Sequence, residues 1–144
     1  MQYLIDAYYR KEHAEERATL DTLAGVDALI DTLLTGPASQ NLAELHCVQR
    51  KPLPSGFPDH ELLVGVDGKR QVGVLGFMDA EGNVVTLGAL EGRGEVSYCI
   101  VGNPTEFPDR SEVPVSLIRQ AVKEFLTSGG QRPTCVQWQV PEFW

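Results

Sequence analysis

Two β-prone runs, ELLVGV at 61–66 and QVGVLGF at 71–77, are joined by only Asp67-Gly68-Lys69-Arg70. So short a link returns the chain antiparallel, because a parallel neighbour needs a crossover of a dozen or more residues. The Asp-Gly pair tolerates the positive φ that tight hairpin turns demand. A third run, NVVTLG at 83–88, follows the turn DAEG, so the middle of the chain reads as an antiparallel meander. Gly65, Gly73 and Gly76 interrupt these runs. Glycine weakens a strand unless it marks a bulge or lets a neighbour approach closely, so a second element is expected tight against this sheet.

The flanks extend the pattern. QYLIDAYYR reads as a strand with RATLDT pairing back on it, and AELHCVQ as another strand. Val26, Leu29, Ile30, Leu33 and Leu34 fall at helical spacing before Gly36 and Pro37, which stop a helix. KPLPSGFPDH, with three prolines and a glycine in ten residues, is a loop. EVSYCIV is the most β-prone stretch of all. The clearest helix is VSLIRQAVKEFLT, where Leu117, Ile118, Ala121, Val122, Phe125 and Leu126 make one broad apolar stripe. TCVQWQV closes the set as a strand with Val136 and Trp138 on one face, which points Trp138 at the core. The expectation is one α+β domain over residues 1–144, a mostly antiparallel sheet with two main helices packed on it.

Chemistry is sparse. Lys69 is followed by Arg70 rather than Ser or Thr, so GVDGKR is a turn and not a phosphate loop. His13, His46 and His60 occur singly, and Cys47, Cys99 and Cys135 lack metal-ligand spacing, so no metal or cofactor is expected and the thiols read as free. His46 and Cys47 are neighbours on a strand, where adjacent side chains face apart, so they make no nucleophile and base by themselves. The 144 residues carry 20 acids against 12 bases, a formal charge of −8. Such a surface repels nucleic acid and attracts a basic partner. No stretch is apolar enough to cross a membrane, and the chain is expected to be cytoplasmic, soluble and reduced.

Between the last strand-like run and the second helix lies GNPTEFPDRSEVP, residues 102–114, long for a connection and rich in proline and charge. Gly102 and Pro104 are expected to end the strand, and Ser111 and Pro114 to start the helix. Glu112 sits where the positive end of the helix dipole favours a carboxylate. Glu106, Asp109 and Arg110 are left to face a partner. Phe107, Phe143 and Trp144 are candidate aromatic anchors, since aromatics and arginine dominate binding hot spots, and Phe107 is also a candidate to tuck the loop down onto the core.

The segment from 97 to 139 resembles the immunity-protein-one family of bacterial polymorphic toxin systems. The residues that carry the resemblance are Tyr98 in its strand, Gly102-Asn103, Glu106-Phe107-Pro108, Ser111-Glu112-Val113-Pro114, Ala121-Val122-x-Glu124-Phe125, Arg132-Pro133 and Val136-x-Trp138. The upstream helix and glycine-bearing strands fit more loosely. The resemblance implies a cytoplasmic α+β protein that binds and neutralises a cognate secreted toxin domain, commonly a nucleic-acid-targeting deaminase or nuclease. It implies binding without catalysis; the acidic surface points to a basic toxin as partner, and the chain is expected to be a monomer or weak dimer. The alternative is a small-ligand-binding or regulatory α+β domain.

Overall fold

The computed structural model describes residues 2–144. Strand β1 (Ile5–Tyr8) is followed by a 3-10 turn, β2 (Ala18–Leu20) and helix α1 (Leu23–Thr35). Thr22 caps α1, its Oγ1 accepting from the Gly25 N–H at 2.9 Å. Next come β3 (Leu42–Cys47), β4 (Glu61–Asp67), β5 (Val72–Asp79) and β6 (Gly82–Leu87). A hairpin of β7 (Val96–Ile100) and β8 (Asn103–Phe107) leads to the two-residue β9 (Val113–Pro114), helix α2 (Val115–Thr127) and β10 (Gln137–Gln139). The α+β class holds.

The main sheet runs β2-β1-β3-β4-β5-β6-β10, and every described pairing in it is antiparallel. β6 reaches only Gly76–Asp79 of β5, which leaves Val72 and Gly73 free to pair with β9. Both helices lie on one face, where Ile30, Leu33, Ile118 and Phe125 bury against Leu45, Leu62, Val64 and Leu75. At roughly 1.5–3 kcal/mol for each large apolar side chain, this layer dominates the stability. Gly129 and Gly130 end α2 at positive φ, with the Gly130 N–H donating to the Phe125 carbonyl and the Gly129 N–H to that of Leu126.

The structure corrects the reading of 96–114. EVSYCIV does not join the main sheet, and the segment after it is not a plain connection. Asn103–Phe107 turns back along β7, with Cys99 opposite Pro104 and Ile100 opposite Asn103. Pro104 is tolerated because a two-stranded hairpin is all edge. The two-residue turn is Val101-Gly102, both at positive φ (49° and 80°), the geometry that matches strand twist. Gly102 is thus a turn residue and Pro104 lies within a strand. The hairpin covers the sheet face opposite the helices, burying Val96, Tyr98, Ile100 and Phe107 against Leu42, Leu63, Val74 and Val85. The central strands are consequently buried on both faces.

Two further expectations change in detail. The β4–β5 connection spans Gly68–Gln71, and its positive φ falls on Gln71 at 56°, not on the Asp-Gly pair. Asp67 instead folds the turn by accepting from the Lys69 and Arg70 N–H groups. Gly68 is glycine because a Cβ there would strike the Leu34 carbonyl at the end of α1. At α2 the N-cap is Pro114, with no side-chain cap; the Ser111 hydroxyl donates back to the Pro108 carbonyl, and Glu112 is committed elsewhere.

The strand glycines are sites of close approach, as their sequence positions suggested. A Cβ at Gly65 would lie 2.8 Å from the Tyr98 ring and 3.0 Å from Val74, and one at Gly76 would lie 2.7 Å from the Trp144 ring. Gly65→Ala is expected to destabilise the fold by about 1–3 kcal/mol, because neither the hairpin nor the sheet can recede. The check is a lower urea midpoint at unchanged m-value.

Candidate partner-binding surfaces

The residues singled out between 98 and 114 divide into a buried network and an exposed fringe. Tyr98, 1% exposed, donates its hydroxyl to Glu112 Oε2 at 2.6 Å, and Arg93 holds the same carboxylate through two bonds of 2.8 and 2.9 Å. Burial raises the Tyr98 phenol and the adjacent Glu112 carboxylate raises it further, so it stays a donor. Burial works against the Glu112 charge, but Arg93 and Tyr98 overcome it and hold the carboxyl below its usual range. This network locks the hairpin to the link before α2. Glu112 therefore serves packing, not the helix dipole.

Phe107 is 0% exposed, stacked edge-on between Tyr98 and Trp144, so no partner reaches it in this conformation. Its expected anchoring role gives way to a core role. Trp144 covers it, with the indole N–H donating to the Glu106 carbonyl at 2.9 Å. Glu106, Asp109 and Arg110 are exposed, and Phe143 is 48% exposed. Asp109 is not free, since Oδ1 accepts from the Gly94 N–H at 2.9 Å. Arg110, at φ 64°, lines a small hollow of about 170 Å³ beside Arg70 and Arg93. Phe125 and Pro133 are buried, and the half-buried Trp138 packs on the helix-side core with its indole N–H donating to the Pro133 carbonyl.

A larger cleft, about 950 Å³, opens at the end of the sheet where β3 finishes, β4 starts and β5 finishes. Sequence reasoning passed over it, because its lining comes from three separate segments: residues 46–61, 77–81 and 131–134. Its base is tightly built. Arg50 donates to the Gly130 carbonyl at 2.6 Å and to Asp59 at 3.0 Å, tying the loop to the end of α2. His60 bridges the same region, accepting the Cys47 N–H on Nε2 at 2.8 Å and facing Asp59 Oδ1 with Nδ1 at 2.8 Å. That pattern requires the neutral ring with its proton on Nδ1. Burial depresses the His60 ring, more strongly than Asp59 raises it.

His46, on the hairpin-side face of β3, stands between two carboxylates, Nδ1 3.2 Å from Asp6 and Nε2 3.3 Å from Glu61. Burial would lower its pKa, but the hydrogen bonds to Asp6 and Glu61 and their charges win and raise it to about 9. It is a cation at neutral pH. Glu44 shares this face, and burial and then Glu61 push its carboxyl up. Cys47 is 3% exposed and free, its Sγ turned to Gln49. Since His60 spends Nε2 on a backbone donor, these groups do not make a nucleophile and base. Among the described residues no group of three or more His, Cys, Asp or Glu is placed to hold a metal ion, and no helix is long and apolar enough to cross a membrane.

What the geometry offers is a sheet covered on both faces and loops clamped to its end. The family model described as immunity protein Imm1 matches residues 14–140, and the chain belongs to that family. No curated protein matches it.

The two buried histidines give stability opposite pH dependences. His46, raised to about 9, stabilises fully below its unfolded value of 6.5, and that contribution fades as pH rises through about 9. His60, lowered, stabilises above 6.5, and its contribution is lost as pH falls toward the depressed value. Thermal melts against pH are expected to show losses on both sides, with His46→Gln removing the part of the alkaline limb between about 6.5 and 9.

Proposed function

We propose that this chain is a cytoplasmic immunity protein that binds and neutralises a cognate secreted toxin domain by covering its active site. The observation that carries the reading is the family match over 14–140. The toxin proposed is basic and nucleic-acid-targeting, a deaminase or nuclease, because an enzyme that grips phosphates presents a positive surface.

Charge supports this reading. Seven of the 20 acids and six of the 12 bases form ion pairs among the described residues, leaving 13 acids against six bases. Ten of those 13 acids are exposed, so most of the negative excess lies on the surface, while Glu44, Asp79 and Glu124 are half-buried and Asp109 accepts from the Gly94 N–H. Exposed Glu106, Asp109, Arg110 and Phe143 are the proposed contacts of the hairpin and tail, and Trp144 the support beneath them. Alone, the protein is proposed to be a monomer or weak dimer without a cofactor. The alternative of a small-ligand module draws on the 950 Å³ cleft, whose openness suits a protein segment better than a metabolite.

Co-expression with the toxin encoded beside it is the direct test: protection from killing and a one-to-one complex on gel filtration are expected, and unprotected cells with no complex overturn the reading. In binding kinetics, association is expected to slow by about tenfold or more as salt rises, the mark of electrostatic steering. Glu106→Lys with Asp109→Asn, which keeps an acceptor for Gly94, is expected to lower the association rate. Unchanged rates would return this stretch to architecture.

A further inference from the structure

We infer that the toxin is anchored at the sheet-end cleft through Phe57 and Leu53, and that the segment seated there carries an apolar side chain next to a lysine or arginine. This rests on the immunity reading and names the surface and chemistry it uses.

Phe57 is 71% exposed and Leu53 47% exposed, both on the loop between β3 and β4. Large apolar side chains are normally exposed singly; here two, four residues apart on one loop and joined by a backbone hydrogen bond, line the 950 Å³ cleft as a hydrophobic lip. The loop is not slack. The Leu53 N–H donates to the Phe57 carbonyl and the Gly56 N–H to the Leu53 carbonyl, both at 2.8 Å, with Gly56 at φ 89° allowing the turn. Below it, Arg50, Asp59, His60 and the Gly130 carbonyl form the clamp already described. An aromatic held out to solvent on a pre-ordered turn loses little conformational entropy on binding.

Charge selects the occupant. Across the cleft, Asp79 and Glu81 on the β5–β6 turn form no ion pair among the described residues, while Arg50 is spent on Asp59 and the backbone. Arg132 is the one cation of the lining without an ion pair among the described residues. Met78 adds apolar surface to the same lining. A segment with an apolar side chain toward Phe57, Leu53 and Met78 and a cation toward Asp79 and Glu81 satisfies both walls. A second copy of this acidic chain brings like charge to the rim instead.

The test uses the full chain and a catalytically inactivated form of the toxin domain encoded beside it. Phe57→Ala is expected to weaken binding by about thirtyfold or more, through faster dissociation, as hot-spot anchors do. Asp79→Asn with Glu81→Gln is expected to weaken it less and to reduce its salt dependence. Leu23→Ala, at a residue 49% exposed on α1, is the control and is expected to change nothing. Unaltered melting shows that each variant is folded. If the wild type binds and Phe57→Ala binds within about threefold of it, the anchor is wrong while the immunity reading stands. If the wild type forms no complex, the immunity reading itself fails. A wild-type dimer that Phe57→Ala dissociates, with toxin affinity intact, assigns the lip to self-association and overturns the inference.

Discussion

The close approach of Tyr98 to Gly65 is the contact on which the rest of the architecture depends. A sheet with helices on one face commonly leaves its other face to water. Here the missing Cβ lets an aromatic ring lie directly on β4, and the β7–β8 hairpin follows it down. The same ring reaches Glu112 with its hydroxyl, so one side chain seals the second layer and fixes the chain as it enters α2. Trp144 repeats the arrangement over Gly76 and roofs Phe107. Central strands buried on both faces resist deformation, because close-packed interiors have few ways to relax. Loops rooted in that sheet inherit its rigidity.

Much of this was legible in the sequence because it is local. The β4–β5 hairpin, the α1 and α2 stripes and the glycines needing close neighbours all declare themselves within a few residues. What escaped depends on contacts distant in sequence. EVSYCIV has strand character whichever sheet it joins, and only Tyr98 meeting Gly65, more than thirty residues earlier, places it on the second layer. Three prolines in 102–114 suggested a connection, yet a lone hairpin edge accommodates Pro104 without losing a ladder bond. Turn chemistry also misled: Asp67 works through its side chain, and Gly68 is dictated by α1.

The candidate site was legible only in part, for a related reason. Glu106, Asp109 and Arg110 were singled out because charge in a loop is visible in sequence, and they do face solvent. Phe107 carried two readings, an anchor for a partner and a side chain that tucks the loop down, because an aromatic between prolines looks the same whether it turns outward or inward; β8 register decides for the second, and register is tertiary. Phe57 sits in an equivalent setting, Gly56-Phe57-Pro58, and turns outward. Nothing nearby in the chain separates the two phenylalanines. The difference is that β7 and Trp144 cover one, while the Arg50 clamp holds the other's loop along the end of the sheet.

Internal charge clarifies why an acidic protein of this size can afford a large exposed excess. Like charges on a compact surface repel, a cost that grows with their number. Its interior electrostatics are matched at most positions: Glu112 has Arg93 and Tyr98, Glu124 accepts from the Thr134 and Cys135 N–H groups, and His46 supplies a cation between Asp6 and Glu61, while half-buried Glu44 has its carboxyl pushed up by burial and by Glu61. No buried side-chain nitrogen or oxygen among the described residues lacks a partner. Ten of the 13 acids without an ion pair among the described residues are exposed, where solvent and salt screen them. A surface so arranged is tolerable alone, and its field would favour a partner of opposite charge over one of like charge.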